Sequence, residues 1–292
     1  MKIPPYALLL LATLLWGGNF VIGRAVSGDI PPLTLAFLRW CVAFIVFFPI
    51  AFGNLKREWR MLKAHWPIVL LLALTGVAAF NTLVYIGLHY TTSINASLMN
   101  SSTPIMIYIL SFIFLKEKLS KFQILGTALS LSGVVFIISG GSFASLVDFT
   151  FNKGDLIVVV AIFCWSIYSL LVKQYAGRLP GHSTFLVTIF IGAMMLLPFY
   201  VYESMTMTNS IHWQWSTIVA ILYVGIFASI VAFLSWNSGV IQLGANKASI
   251  YLNFIPIFAS IFAVIVLGEK LHTFQFIGGI AVVAGVLLTE KK

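Results

Sequence analysis

The second half of this 292-residue chain repeats the first at a constant offset of 152 residues. The stretch beginning at Asn95 and the one beginning at Lys247 share Ala96/Ala248, Ser97/Ser249, Pro104/Pro256, Leu115/Leu267, Glu117/Glu269, Lys118/Lys270, Leu119/Leu271, Phe122/Phe274, Gln123/Gln275, Gly126/Gly278 and Gly133/Gly285. Gly87 and Gly239 extend the register upstream without a gap. The chain is therefore a tandem duplication. How its two copies face each other depends on how many elements each contains.

Those elements are membrane spans. The chain is 60% hydrophobic and 9% charged, against about a quarter charged in a soluble domain. It has too few polar side chains to cover a surface in water, so the bilayer is its solvent. A spanning helix needs about 20 mostly apolar residues, and ten runs qualify: Tyr6–Gly23, Leu33–Phe52, Trp66–Leu88, Ile94–Leu115, Phe122–Ser139, Asp155–Tyr175, Ser183–Tyr202, Trp215–Gly239, Lys247–Gly268 and Phe274–Thr289. Pro31-Pro32, Lys56-Arg57, Gly140-Gly141 and Pro180-Gly181 punctuate them. The expected protein is all-α and integral to the membrane, with one five-helix repeat in residues 1–140, a linker in 141–154 and a second repeat in 155–292. In the linker, Phe143, Leu146 and Phe149 are placed to lie along the membrane interface. Only Lys2 precedes the first run and no small-x-small cleavage site follows it, so that run is expected to remain as a span.

Orientation follows from where the Lys and Arg residues fall between the spans. With a cytoplasmic N-terminus, thirteen Lys and Arg fall inside (Lys2, Lys56, Arg57, Arg60, Lys63, Lys116, Lys118, Lys121, Lys173, Arg178, Lys247, Lys291 and Lys292) and three outside (Arg24, Lys153 and Lys270). Both termini are then cytoplasmic, at a bacterial inner membrane, and the basic residues are topological signals rather than a nucleic-acid face. Because five is odd, the second copy enters the membrane upside down, and the repeats are inverted. The loop charges agree: Lys116 and Lys121 of the first copy become Gly268 and Thr273 of the second.

Polar residues inside the spans are the candidates for function. Arg39 is the only charged residue well inside an apolar run, where an unpaired charge costs at least a few kcal/mol. It reads as a structural or gating clamp, with contact to a substrate carboxylate as the alternative. Trp16 and Asn19, Asn81 and Tyr85, Trp165 with Tyr168 and Ser169, and Ser229 with Phe233 and Asn237 each share a helical face. Such faces turn into the bundle, as cavity wall or as interhelical hydrogen bonds. Pro104 and Pro256 leave the carbonyls of Asn100 and Leu252 without a helical donor. Asn100, Ser101 and Asn253, just before those prolines, point to a kinked segment facing substrate or to a static kink. Glu117 and Glu269 close the same helix in each copy, and their helix-end position suggests structure. Gly126, Ser130 and Gly133, with Gly278, Ala281 and Gly285, give two small-residue faces for close packing within the bundle. No Asp or Glu sits mid-span, and no Cys/His metal spacing, phosphate loop or nucleophile elbow is present. An enzyme is not expected, nor any metal or cofactor.

The ten-span tandem design resembles the drug/metabolite transporter superfamily, specifically its EamA-type members. The residues that carry the resemblance are Leu15-Trp16-Gly17-Gly18-Asn19-Phe20, Leu38-Arg39-Trp40, and Ala96-Ser97 through Pro104 to Glu117-Lys118-Leu119 with its copy. Relatives of this type export amino acids or other small metabolites, and one branch moves aromatic amino acids. The resemblance implies a cavity lined by spans one, three, four, six, eight and nine, with spans five and ten packed outside it. It makes Trp16, Asn19, Asn81, Tyr85, Asn100, Ser101, Trp165, Tyr168, Phe233, Asn237 and Asn253 the expected substrate-binding set, with Arg39, Pro104, Pro256, Glu117 and Glu269 gating or structural. The expected function is alternating-access export of a small metabolite such as an amino acid, with efflux of drugs or cationic compounds the alternative. The expected partners are a small-molecule substrate and the lipid bilayer, and the expected state is a monomer, with a homodimer as the alternative.

Overall fold

In the computed structural model, residues 4–115, 120–142, 152–206, 211–243, 248 and 250–289 are described. They form ten helices and, among the described residues, no strand. In chain order these are α1 (Pro5–Ala25), α2 (Pro32–Ala64), α3 (Trp66–Leu88), α4 (Ser93–Asn100 continued by Thr103–Leu115), α5 (Lys121–Ile138), α6 (Lys153–Tyr175), α7 (Gly181–Thr206), α8 (Trp215–Leu243), α9 (Ile250–Asn253 continued by Phe254–Leu267) and α10 (Thr273–Thr289). Seven are long and apolar enough to span a bilayer, and α5, α9 and α10 are shorter apolar helices. Consecutive helices run antiparallel, so both chain ends approach one end of the bundle, here called the terminal end. The other is the distal end.

One expected boundary is corrected. The second span does not stop at Phe52, and Lys56-Arg57 is not a break, because α2 runs on to Ala64. The Lys, Arg, Glu, Leu and Met residues that follow are good helix formers, and a helix leaving the bilayer still satisfies its own backbone. It ends only where Pro67 follows His65 and Trp66.

Two long helices, α2 and α7, pair antiparallel and cap each other. Glu203 of α7 accepts from the backbone N–H of Leu33 (3.2 Å), that of Thr34 (2.7 Å) and the Thr34 hydroxyl (2.8 Å) at the start of α2. Glu58 of α2 accepts from the Ser183 hydroxyl at the start of α7. Each carboxylate thus meets the positive end of the partner's helix dipole.

Helices α5 and α10 cross at close range. A Cβ on Gly133 would stand 2.7 Å from the Gly278 carbonyl oxygen and 2.9 Å from the Val282 nitrogen. One on Gly285 would stand 2.5 Å from the Gly126 carbonyl oxygen and 2.6 Å from the Ser130 nitrogen. These two sets are the same contact shifted by 152 residues. The small-residue faces therefore pack on each other within the bundle.

The breaks in α4 and α9 fall at equivalent places, each just ahead of its proline. Pro104 stands at the start of a new helix rather than inside a kinked one. The carbonyl it deprives, on Asn100, accepts from the Thr103 hydroxyl at 2.6 Å, and Ser102 likewise donates to Met99 O at 2.8 Å. The Ser-Ser-Thr run satisfies the opened backbone.

Candidate functional site

Wide π turns interrupt α3 at Ala73–Ala79 and α8 at Tyr223–Val231, and the second segment covers the first after the 152-residue shift. A π turn leaves a carbonyl without its usual backbone donor, and such turns recur at functional sites. In both helices that carbonyl sits at the same register. Gly76 O takes the Asn81 amide at 3.4 Å, and Ala228 O takes the Trp16 indole N–H at 3.1 Å. Trp16 and Tyr168 are also equivalent by the shift, and Tyr168 lies directly over Gly76, leaving no room there for a side chain. The first helix of each copy thus presses an aromatic ring onto the π segment of the other.

Beside these turns stands Arg39, fully buried on α2 about 10 Å in from its distal start. Its Nε donates to Ser229 Oγ at 2.8 Å. Its Nη1 lies 2.7 Å from Asn81 Oδ1, 2.6 Å from Tyr85 OH and 3.4 Å from Asn19 Oδ1. Tyr85 OH in turn donates to Asn19 Oδ1 at 2.7 Å. The guanidinium carbon sits 5.0 Å from the Trp40 ring centroid and 5.5 Å from that of Tyr85. These contacts join α1, α2, α3 and α8, hence both copies. Every one of these partners is neutral, and Nη2 has no partner among the described residues.

On the terminal side of this cage lies an aromatic layer. The Trp16 ring meets Trp165 at 5.2 Å, Phe233 at 5.8 Å and Trp236 at 5.5 Å between centroids. Trp165 meets Phe233 edge-on at 5.3 Å and Tyr168 at 5.0 Å, and Trp40 meets Phe233 edge-on at 5.5 Å. Edge-to-face contacts of this kind are the preferred aromatic geometry. A cavity of about 10 Å³, with room for about one water, lies where cage and layer touch; Asn19, Asn81, Asn100, Trp16 and Trp165 line it. Beyond the layer, Tyr168 and Asn237 share a long hydrogen bond of 3.3–3.4 Å. They form the floor of a larger cavity of about 90 Å³ between α3, α6, α7 and α8, which reaches the α6–α7 loop at the terminal end.

The distal end is tied shut. Arg24 Nη1 donates to Leu88 O at 2.6 Å, Asn152 Nδ2 to Tyr90 O at 2.8 Å, and Thr91 Oγ1 to the Asp155 carboxylate. Glu269 accepts from the N–H and hydroxyl of Ser93 (3.1 and 2.8 Å) and from the N–H of Ile94 (3.2 Å). It therefore caps α4 of the other copy, not the next helix in the chain. Glu117 lies outside the described residues, as do Phe143, Leu146 and Phe149.

Residues 3–139 and again residues 152–290 match the EamA-like transporter family. The chain belongs to that family. This EamA-like transporter is 29% identical to the uncharacterized transporter YyaM of Bacillus subtilis, over 97% of this chain and 92% of the relative. It is 28% identical to an uncharacterized transporter of Archaeoglobus fulgidus, over 100% and 99%. To the probable terminal-alkyne amino-acid exporter of Streptantibioticus cattleyicolor it is 25% identical, over 97% and 92%. A solved crystal structure, 18% identical, superposes with a TM-score of 0.67 over 98% of this chain and 96% of that one, which establishes a shared fold. The EamA-like transporter is a multi-pass membrane transporter and not an enzyme.

In this transporter Asn19, Asn81 and Tyr85 converge on Arg39, while Trp16, Trp165, Tyr168 and Phe233 form the layer beneath. Asn237 lies at the larger cavity and Asn100 at the smaller one. Ser101 is buried at the α4 break, its hydroxyl unpartnered among the described residues. Asn253, its equivalent, instead lines a groove of about 830 Å³ between α9 and α10, together with Pro256 and Gln275. Sequence periodicity placed Ser229 on one face with Phe233 and Asn237 but did not pair it with Arg39. It also missed Trp40 and Trp236, each of which is adjacent in sequence to a more polar residue, Arg39 and Asn237.

His89 sits at the distal seal beyond the end of α3. Burial and the neighbouring Arg24 hold its imidazole below the ordinary value of 6.5, with Glu203 pulling the other way. An unfolded histidine then binds its proton more readily than the folded one, so stability is lost as pH falls below about 6.5. The apparent Tm is expected to decline between about pH 7 and 5, and His89→Gln to flatten that decline. An unchanged profile in the variant would remove His89 from the seal's acid response.

Proposed function

We propose that the protein exports a small metabolite of the amino-acid class across the cytoplasmic membrane by alternating access, with both termini in the cytoplasm. The observation that carries this reading is the vertical order of the site: a cavity at the terminal end, an aromatic layer beneath it, a cationic polar cage, and a hydrogen-bonded distal seal. With the terminal end cytoplasmic, as the Lys and Arg distribution expects, substrate enters from the cell interior and release requires the seal to open. Each of its hydrogen bonds contributes about 0.5–1.5 kcal/mol, so the seal can be exchanged for an equivalent one at the other end. Inverted copies supply that equivalent, because two symmetry-related packings of one unit have similar energies. The likeness to an amino-acid exporter supports the substrate class.

Counterflow in proteoliposomes loaded with a mixed amino-acid pool tests the reading. Saturable exchange is expected in the wild type, with at least about a tenfold loss in Trp165→Ala and Asn81→Ala, equal to about 1.4 kcal/mol or more of transition-state stabilisation. Full exchange in both folded variants would show that the layer and cage are only packing. Saturable flux of a lipophilic cation with which no amino acid competes would replace the substrate class by cationic efflux.

A further inference from the structure

Arg39 presents an imbalance that the surrounding side chains do not correct. A guanidinium has five N–H donors and one permanent charge, and here Nη2 is buried without a partner among the described residues. Isolated charges in a low-dielectric interior are costly unless an opposite charge or a ligand completes them. Of the chain's eight acidic residues, Glu117, Asp148 and Glu290 lie outside the described residues, and Asp29 lies in the connection between α1 and α2. Glu58, Asp155, Glu203 and Glu269 are already engaged by hydroxyls or backbone N–H groups at the two ends of the bundle. Among the described residues the one ion pair is Arg57 with Glu58. No carboxylate among the described residues stands with Arg39.

The surroundings add to the surplus of donors. The indole N–H groups of Trp40 and Trp236 are also buried and, among the described residues, unpartnered. Trp40 lies under the guanidinium, and Trp236 belongs to the aromatic layer next to it. The oxygens of Asn19, Asn81, Tyr85 and Ser229 are already in contact with Nε or Nη1.

We infer that the missing partner is the substrate's own carboxylate. Arg39, through Nη2, is its anchor, and the aromatic layer holds the apolar or aromatic body attached to it. Guanidinium and carboxylate match as planar groups, one cation suits one negative group, and the surrounding rings suit a body with a flat or hydrocarbon face. This rests on the carrier reading above and narrows it. A carboxylate is required, and an amine cannot substitute for it.

The test is thermal stabilisation of the detergent-purified, full-length protein, read by intrinsic tryptophan fluorescence. The probes are 3-phenylpropionate, L-phenylalanine, the neutral 3-phenylpropionamide, phenethylamine and sodium chloride. The two carboxylates are expected to raise Tm saturably. The amide and the amine should bind at least about tenfold more weakly, a difference of about 1.4 kcal/mol. Arg39→Gln should erase the preference, and the acid-against-amide comparison in the wild type decides the matter if that variant does not fold. Equal binding of acid and amide, a preference retained in Arg39→Gln, no shift with either carboxylate, or an equal effect of chloride would each overturn the assignment. Failure of amino-acid counterflow alongside carboxylate binding would sink the amino-acid reading and leave the anchor standing. Counterflow with no acid-over-amide preference would do the reverse.

Discussion

Arg39→Gln is expected to leave the fold nearly intact while reducing counterflow at least about tenfold, or about 1.4 kcal/mol in transition-state stabilisation. The structure supports this separation because each polar partner keeps a second bond when the guanidinium is gone. Asn19 Oδ1 retains Tyr85 OH at 2.7 Å, Ser229 retains Val224 O at 2.7 Å, and the Asn81 amide retains Gly76 O at 3.4 Å. Interhelical hydrogen bonds in membranes average about 0.6 kcal/mol, so losing all four costs about 2.4 kcal/mol. Removing an incompletely paired buried charge offsets part of that loss. At about 2–4 °C per kcal/mol for a protein of this size, Tm should stay within about 5 °C of wild type. A drop beyond about 15 °C, several times that expectation, would identify Arg39 as a clamp that the fold needs. Unchanged counterflow with an unchanged Tm would remove it from transport altogether.

The largest expected loss of stability comes from Gly133→Val and Gly285→Val. At both positions the new Cβ meets backbone atoms of the facing helix at 2.5–2.9 Å, and backbone cannot rotate out of the way. Overpacking of this kind costs about 1–3 kcal/mol where side chains can adjust, and more is expected where they cannot. Each variant should lose about 10 °C or more in Tm, with a lower folded yield from membranes. Because the two contacts are equivalent, their losses should be similar. Gly53→Ala is the contrast: it lies exposed on α2 with nothing within 4 Å of its Cβ. It should hold or slightly raise Tm, since alanine is the better helix former by about 1 kcal/mol. Valine tolerated at Gly133 would mean that α5 and α10 separate more readily than their packing indicates.

Much of the architecture was legible in the residues because a single requirement governs membrane spans: enough apolar length to cross the hydrocarbon core with the backbone bonded to itself. Apolar length and the odd number of spans per copy were enough to predict ten helices and their inversion. The faces carrying Asn19, Asn81, Tyr85 and Trp165 were readable for the same reason, since a helical stripe survives any choice of neighbour. The pairing of those faces was not readable. That Arg39 takes Ser229 from the second copy depends on a π turn, which no local propensity announces. That Glu269 caps the start of α4 depends on which loops meet at the distal end. The extension of α2 past Phe52 was hidden because its charged residues bound the bilayer and not the helix.

The α5–α10 crossing has a consequence for ancestry. In that contact Gly133 meets Gly278 and its neighbours, and Gly285 meets Gly126 and its neighbours, so each surface docks against its own counterpart. A self-matching surface of this kind defines an isologous, two-fold interface. Here it lies inside a single chain. A half-length ancestor inserted in both orientations would already have possessed the same seam as a homodimer interface. Joining the halves would then have required no new complementarity: the covalent connection records an assembly that the glycine faces could form alone.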